Sequence, residues 1–404
     1  MTDPLKLPAT LPLRLRWPVR SLLALGLAAV CSCAGGPETT LRAPVPGERQ
    51  DASMTVTSDE IRKLGFQRDW RGYPAIGRGQ TVRFLDLWDD LVLVHGTGSN
   101  LTALEPRSGE RRWSRGLANP LTRFLGNVRD GNIIYSSTEG EIFVVDADTG
   151  NFLDRLDNAQ IVNTRPLRVG GMLIYGTAST ASNMPGAARA EVVAFLPTAG
   201  IRSVDGVKMW GMLTDGPVDK APILVEGLVC AATVNGEVLF IEPSTGSLVG
   251  RSRMYDGPGS DPVTGEGLVF MASRDQSVYA FSPSGGRPIW RFRTEDPLTT
   301  QPTYHAGAVY IDIPSEGLVA LGAATGERIW DAPSAAHGTV IGIRDGLLIV
   351  LDGRVLIAVD PRSGDVVHQV DVPGLIIARM DQFVDGNLYV ASDLGLIAKL
   401  APAQ

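Results

Sequence analysis

The side chains able to do chemistry in this chain of 404 residues are few and scattered. His95, His305, His337 and His368 are its four histidines, and none has a neighbour at the spacing of a zinc pair or a catalytic relay. Asp146-Ala-Asp-Thr-Gly150 has the opening spacing of a calcium loop but lacks the glutamate at the twelfth loop position. Gly96-Thr-Gly98 follows one strand-like run and precedes another, which makes it a turn rather than a dinucleotide loop. Of three cysteines, Cys230 stands in an apolar run, Leu228-Val-Cys-Ala-Ala, and reads as an inert buried thiol. From these patterns no catalytic, cofactor-binding or metal residue is assigned, and the expected cofactor is none.

The other two cysteines belong to processing. Lys6, Arg14, Arg16 and Arg20 precede an apolar run of nine residues, 22–30, too short for a resident membrane span and suited to a secretory leader over 1–32. Val30-Cys31-Ser32-Cys33 places a branched apolar residue three positions and a small one directly before Cys33, which resembles a bacterial lipobox with an unusual cysteine between. Cleavage before Cys33 and lipidation of its thiol are expected; acylation at Cys31, or ordinary cleavage nearby, are the alternatives. Residues 33–60, with Gly, Pro, Thr and charge in excess early on and no apolar periodicity, read as a flexible tether. At its end Thr57-Ser-Asp-Glu60 is placed to cap one helical turn before Ile61 and Leu64.

The elements that must position everything else come from a repeat. Ala320-Leu-Gly-Ala-Ala-Thr-Gly326-Glu-Arg-Ile-Trp330 recurs as Ala103-Leu-Glu-Pro-Arg-Ser-Gly109 with Trp113, Ala280-Phe-Ser-Pro-Ser-Gly-Gly286 with Trp290, and Ala358-Val-Asp-Pro-Arg-Ser-Gly364. Weaker copies end at Gly150, Gly200 and Gly246, and a last one stops at Gln404 where the glycine would stand. Steps between turns run from 38 to 41 residues except two, lengthened by about ten residues near 177–190 and by six between Gly200 and Trp210. A period near 40 built of short strands predicts a β-propeller. The proline suits the second position of a type I turn and the glycine the left-handed position after it. The aromatic four residues on, at Trp113, Trp290 and Trp330, has the spacing of an interblade docking residue, a role also given to Trp70 and Trp210. Pro166, Pro222, Pro262 and Pro302 mark where inner strands begin.

Eight turns predict an all-β, eight-bladed propeller of four-stranded antiparallel blades over 61–404; a miscount by one would give seven. The last copy lacks an outer strand, and Phe66-Gln-Arg-Asp-Trp70 is one repeat ahead of the first turn. The N-terminal strand is therefore expected to complete the last blade and remove the open edge.

The frame Ala-x-Asp-x-x-Thr-Gly-x-x-x-Trp resembles the repeat of the quinoprotein (PQQ-like) β-propeller family from about Phe66 to Gln404. That family holds quinoprotein dehydrogenases and non-catalytic, BamB-like envelope lipoproteins. The dehydrogenase branch implies a tryptophan floor under the quinone, a calcium, an aspartate base and often a vicinal disulfide. Here the inner-strand positions are Arg165, Ala221, Asp261 and Gln301, with Lys220 and His337 near the same mouth and no cysteine pair in the mature chain. The lipoprotein branch implies protein partners, namely barrel-assembly machinery components or unfolded outer-membrane proteins, and a membrane contact through the lipid. Ala34 after the lipidation site, where aspartate would retain the protein at the inner membrane, points to a periplasm-facing outer-membrane anchor. Loss of the leader takes the formal charge from −7 to about −10, which argues against nucleic acid. The expectation is a scaffold lipoprotein; a dehydrogenase or an extracytoplasmic ligand sensor is the alternative.

Overall fold

The computed structural model describes residues 53–158, 160–178, 189–197 and 206–403. Residues 1–32, expected as a leader, with Cys33, Gly200, Gln404 and most of both insertions, lie outside them. The chain divides into units 1–43 and 44–404, and all described residues fall in the second.

That unit is an eight-bladed propeller made almost wholly of strands. Blades 1 to 7 occupy, in chain order, 82–116, 124–157, 167–213, 223–253, 263–293, 303–322 and 339–371; blade 8 combines 375–402 with 66–72. Blade 5 shows the logic. Pro262 precedes the inner strand Val263–Gly265, since a strand's start needs no donor there. Glu266 (φ 50°) and Gly267 (φ 73°) make a hairpin turn with both central residues left-handed, the geometry that matches strand twist. Leu268–Ser273 and Ser277–Phe281 follow, and Trp290–Arg293 forms the rim.

Burial follows position in the blade. Every residue of Ser277–Phe281 is buried, because a middle strand has a neighbouring blade against each face and needs apolar side chains on both. Arg111–Gly116, a rim strand, is almost wholly exposed. In blade 6 the rim strand is absent as a ladder: three strands are paired, and the next segment touches Leu318 and Leu321 only through isolated bridges from Ser334 and Arg328. Pro333 lies in that segment and has no N–H to give to a ladder.

The N-terminal strand Phe66–Gly72 pairs antiparallel with Ile397–Pro402, Phe66 opposite Pro402 and Gly72 opposite Ile397. The ordered ring reaches back beyond the expected start at Ile61. Met54 and Val56 are buried with Ile61, Leu64 and Phe66 against Leu356, Val370, Leu388 and Leu400, and Ser53 Oγ donates to Ser392 Oγ at 2.7 Å. Residues 53–60, expected as the end of the tether, are instead held by apolar burial on blades 7 and 8. The helix is Ser58–Lys63, with the Thr57–Glu60 capping box formed. Arg344, from blade 7, fastens this seam: its Nε donates to Gly65 O at 2.8 Å and a terminal nitrogen to Ala403 O at 2.9 Å.

Candidate functional site at the blade joints and the inner polar cluster

The repeat's tryptophans and glycines meet across blades. Trp113, on the rim strand of blade 1, donates its indole N–H to Ala147 O in the blade 2 turn at 2.8 Å. Gly150 lies under the ring, where a Cβ would come within 2.5 Å of it. The same joint links Trp210 to Pro243 O (2.8 Å) and Gly246, Trp290 to Ala323 O (2.8 Å) and Gly326, and Trp330 to Pro361 O (2.9 Å) and Gly364. Trp70 makes it across the seam, onto Pro106 O and Gly109. Each glycine has positive φ, between 68° and 81° among those closing on an indole, so it answers two demands: a left-handed turn and a ring at contact distance.

Gly286 stands apart. Its φ is 88°, yet a Cβ there would meet nothing within 4 Å. The reason lies one blade back, where Gly250 occupies the tryptophan position. Backbone replaces the indole: Gly286 N donates to Arg251 O at 2.7 Å, and a Cβ on Gly250 would stand 2.3 Å from Pro283 O.

A buried polar cluster spans the first two strands of blades 1 and 2 and is met by Arg165, just ahead of blade 3. Asn127 Nδ2 donates to Asp86 Oδ2 at 2.8 Å, while its Oδ1 accepts from Ser136 Oγ at 2.7 Å and lies 3.2 Å from His95 Nδ1. The acceptor role of that oxygen places the imidazole proton on Nδ1. Arg165 reaches Asp86 Oδ1 at 3.4 Å. His95 is fully buried against Phe84 and Phe124, and its Nε2 has no partner. Burial pulls its pKa down to about 4, opposed by the bond to Asn127 and reinforced by the Arg83 charge. The charged form is disfavoured because it would leave a cation in an apolar pocket. The members of this cluster lie outside the recurring frame of turn and tryptophan, although Asp86 and Asn127, like His95 and Ser136, stand one repeat step of 41 residues apart.

The other inner residues do not converge. Asp261 accepts from Ala221 N at 2.9 Å, Gln301 donates to Pro262 O at 3.5 Å, His337 Nδ1 lies 2.9 Å from Asp312 Oδ1, and Lys220 is 3.6 Å from Asp219. Each is engaged with its own neighbour. Asp146 is turned into its hairpin, accepting from Thr149 N (2.8 Å) and Thr149 Oγ1 (2.7 Å), and these bonds hold its pKa down. Cys230 is buried, which raises its thiol pKa. Among the described residues, no three His, Cys, Asp or Glu side chains gather as metal ligands, and no helix is long and apolar enough to cross a membrane.

A quinone with its calcium does not fit this arrangement. Five of the six described tryptophans have their indole N–H committed to rim joints, and the sixth, Trp88, ends an inner strand with the Arg129 guanidinium 5.5 Å from its ring centroid. Among the described residues, five of the six indoles are thus held at the rim, and no three acidic, histidine or cysteine side chains gather to hold a calcium.

Seven four-stranded sheets and one three-stranded sheet, with Gly–Trp joints between blades, define a β-propeller of the PQQ-repeat class. The chain belongs to the PQQ_2 family described as outer membrane protein assembly factor BamB, whose model matches residues 49–203, 188–341 and 234–386. No curated protein sequence matches it. Among solved structures it is similar to BamB from Moraxella catarrhalis, at 17% identity and TM-score 0.60 over 79% of this chain and 93% of that one. It is also similar to the computationally designed Ika8 protein, at 12% identity and TM-score 0.63 over 83% and 99%. At these identities the structural likenesses concern the fold.

Proposed function

We propose that this propeller is a non-catalytic scaffold of the cell envelope that supports assembly of outer-membrane β-barrel proteins through protein–protein contacts. The observation that carries it is the match of the BamB family model across 49–386. The rim joints support it: each joint indole N–H is paired with a carbonyl of the next blade, as suits a rigid platform presenting loops. In this reading residues 1–32 are removed, Cys33 or Cys31 carries the lipid, and the ring faces the periplasm from the outer membrane.

Affinity capture of the full chain from detergent-solubilised envelope tests the role. Barrel-assembly components should be recovered in proportion to the bait, and their absence from repeated captures would refute it. Metabolic labelling with a radioactive fatty acid, compared between Cys33→Ala and Cys31→Ala, assigns the anchor. Purified protein mixed with quinone and calcium should show no stoichiometric chromophore; an absorbing complex would return the dehydrogenase reading.

A further inference from the structure

The rim between blades 4 and 5 carries side chains that the repeat does not require. Tyr255, in the loop after Leu248–Arg253, is 80% exposed. Its ring lies 4.5 Å from the guanidinium of Arg291, and the Tyr279 ring lies 5.2 Å from the same group. Arg291 Nε donates to Ser277 Oγ at 2.8 Å, and a terminal nitrogen stands 3.7 Å from Asp275. Asp275 in turn accepts from the Tyr279 hydroxyl and, at 3.1 Å, from Tyr255 N. Arg291 is therefore positioned before any ligand arrives, which lowers the ordering cost of binding.

Two hollows, of about 770 Å³ and about 360 Å³, share Tyr255 and Arg291 in their walls. Arg287 lines the larger and Arg293 the smaller. Both are exposed, and among the described residues neither has a carboxylate partner, although the chain as a whole carries −7. Arg253, also in the larger wall, is 3.2 Å from Asp215. Pro288 supplies apolar surface between the charges, over the buried Met254.

We propose that these joined hollows are a docking groove for an acidic, extended segment of a protein partner. Its carboxylates meet Arg287, Arg291 and Arg293, and its apolar side chains lie against Tyr255 and Pro288. Three features favour a peptide. Guanidinium forks match carboxylates in two-point contact. Arg291 and Arg293 stand two residues apart on one strand, about 6.8 Å, which is the spacing of alternate side chains on an extended partner. A lone inorganic anion would leave the tyrosine and proline surface uncovered. The proposal rests on the scaffold reading and specifies one of its surfaces.

The test is fluorescence anisotropy of the full chain with a labelled twelve-residue peptide carrying glutamate at alternate positions between leucine and tyrosine. Binding should weaken with rising salt and disappear for the same peptide with glutamine. Arg287→Gln with Arg293→Gln, both at exposed positions, should weaken it at least tenfold, and Tyr255→Ala severalfold, with circular dichroism unchanged. Equal binding of the glutamine peptide, or unaltered binding by both variants, would overturn the proposal. Displacement by inorganic phosphate or a sulfated oligosaccharide at concentrations below that of free glutamate peptide would reassign the groove to that anion and overturn it too. Envelope capture with the double arginine variant separates the two readings. Barrel-assembly components retained while peptide binding is lost leave the scaffold role standing on another surface; peptide binding with no such components captured by the native chain removes that role and leaves the groove.

Discussion

The indole of Trp70 lies over Gly109, its N–H donating to Pro106 O at 2.9 Å, and a Cβ on Gly109 would stand 2.3 Å from the ring. Gly109→Ala should therefore cost about 3 kcal/mol, from left-handed strain (φ 73°) together with overpacking. Gly131 has φ 56° with nothing within 4 Å of the added carbon, so Gly131→Ala should cost only about 1 kcal/mol. Urea midpoints of the two variants decide it; equal shifts would mean that the ring contact contributes nothing.

At the blade 6–7 joint, packing and hydrogen bonding can be separated. Trp330 is 3% exposed and donates to Pro361 O. Trp330→Ala should destabilise by about 3–5 kcal/mol. Trp330→Phe keeps most of the apolar contact and should lose less, with about 1 kcal/mol of the change due to the missing bond. A phenylalanine variant as weak as the alanine one would show that the N–H dominates.

Arg344 holds Gly65 O and Ala403 O together and also reaches Asp385 at 3.3 Å. Arg344→Met should cost about 2 kcal/mol, since it removes the donor to Ala403 O and one of the two donors to Gly65 O, which keeps its bond from Ala403 N. Hydrogen exchange should rise first in Phe66–Gly72 and Ile397–Pro402. Uniform acceleration around the ring would argue against a local fastening.

His95 gives the ring a pH dependence of known sign. Its folded pKa of about 4 lies below the ordinary 6.5, so the unfolded chain binds the proton first as pH falls. Its contribution is complete above about 6.5, declines as pH drops toward 4 and changes no further below that, in total about 3 kcal/mol. His95→Gln should flatten that part of the stability profile in denaturant titrations at pH 7.5 and 4.5. Parallel loss in both proteins would place the acid sensitivity on other groups.

How much of this was legible depends on whether a residue belongs to the repeat. The Gly-x-x-x-Trp frame, the prolines before Leu167, Ile223, Val263 and Thr303, and the pairing of the N-terminal strand with the last blade could all be read from spacing, because each recurs or completes a period. The rim of blade 6 could not, as Trp330 keeps the frame while the strand around it is lost. The Asp86–Asn127–His95 cluster was invisible although Asp86 and Asn127 each stand 23 residues ahead of their turn glycines, Gly109 and Gly150, because equivalent positions carry different residue types and no shared motif marks them. The Tyr255–Arg291 contact joins a loop to a strand one blade later. Such pairs become apparent only once the sheets are stacked.

The seam imposes a timetable on biosynthesis. Ser53 and the Ser392 it touches are separated by 339 residues, and Phe66–Gly72 leaves the ribosome long before Ile397–Pro402 exists. Until Ile397–Pro402 has emerged, the leading strand is an unpaired edge able to bond with a wrong neighbour. Productive maturation therefore favours a chain kept unfolded until its final residues are available, and a nascent chain arrested even one strand early would be an unclosed horseshoe with its first hydrogen-bonding edge still bare.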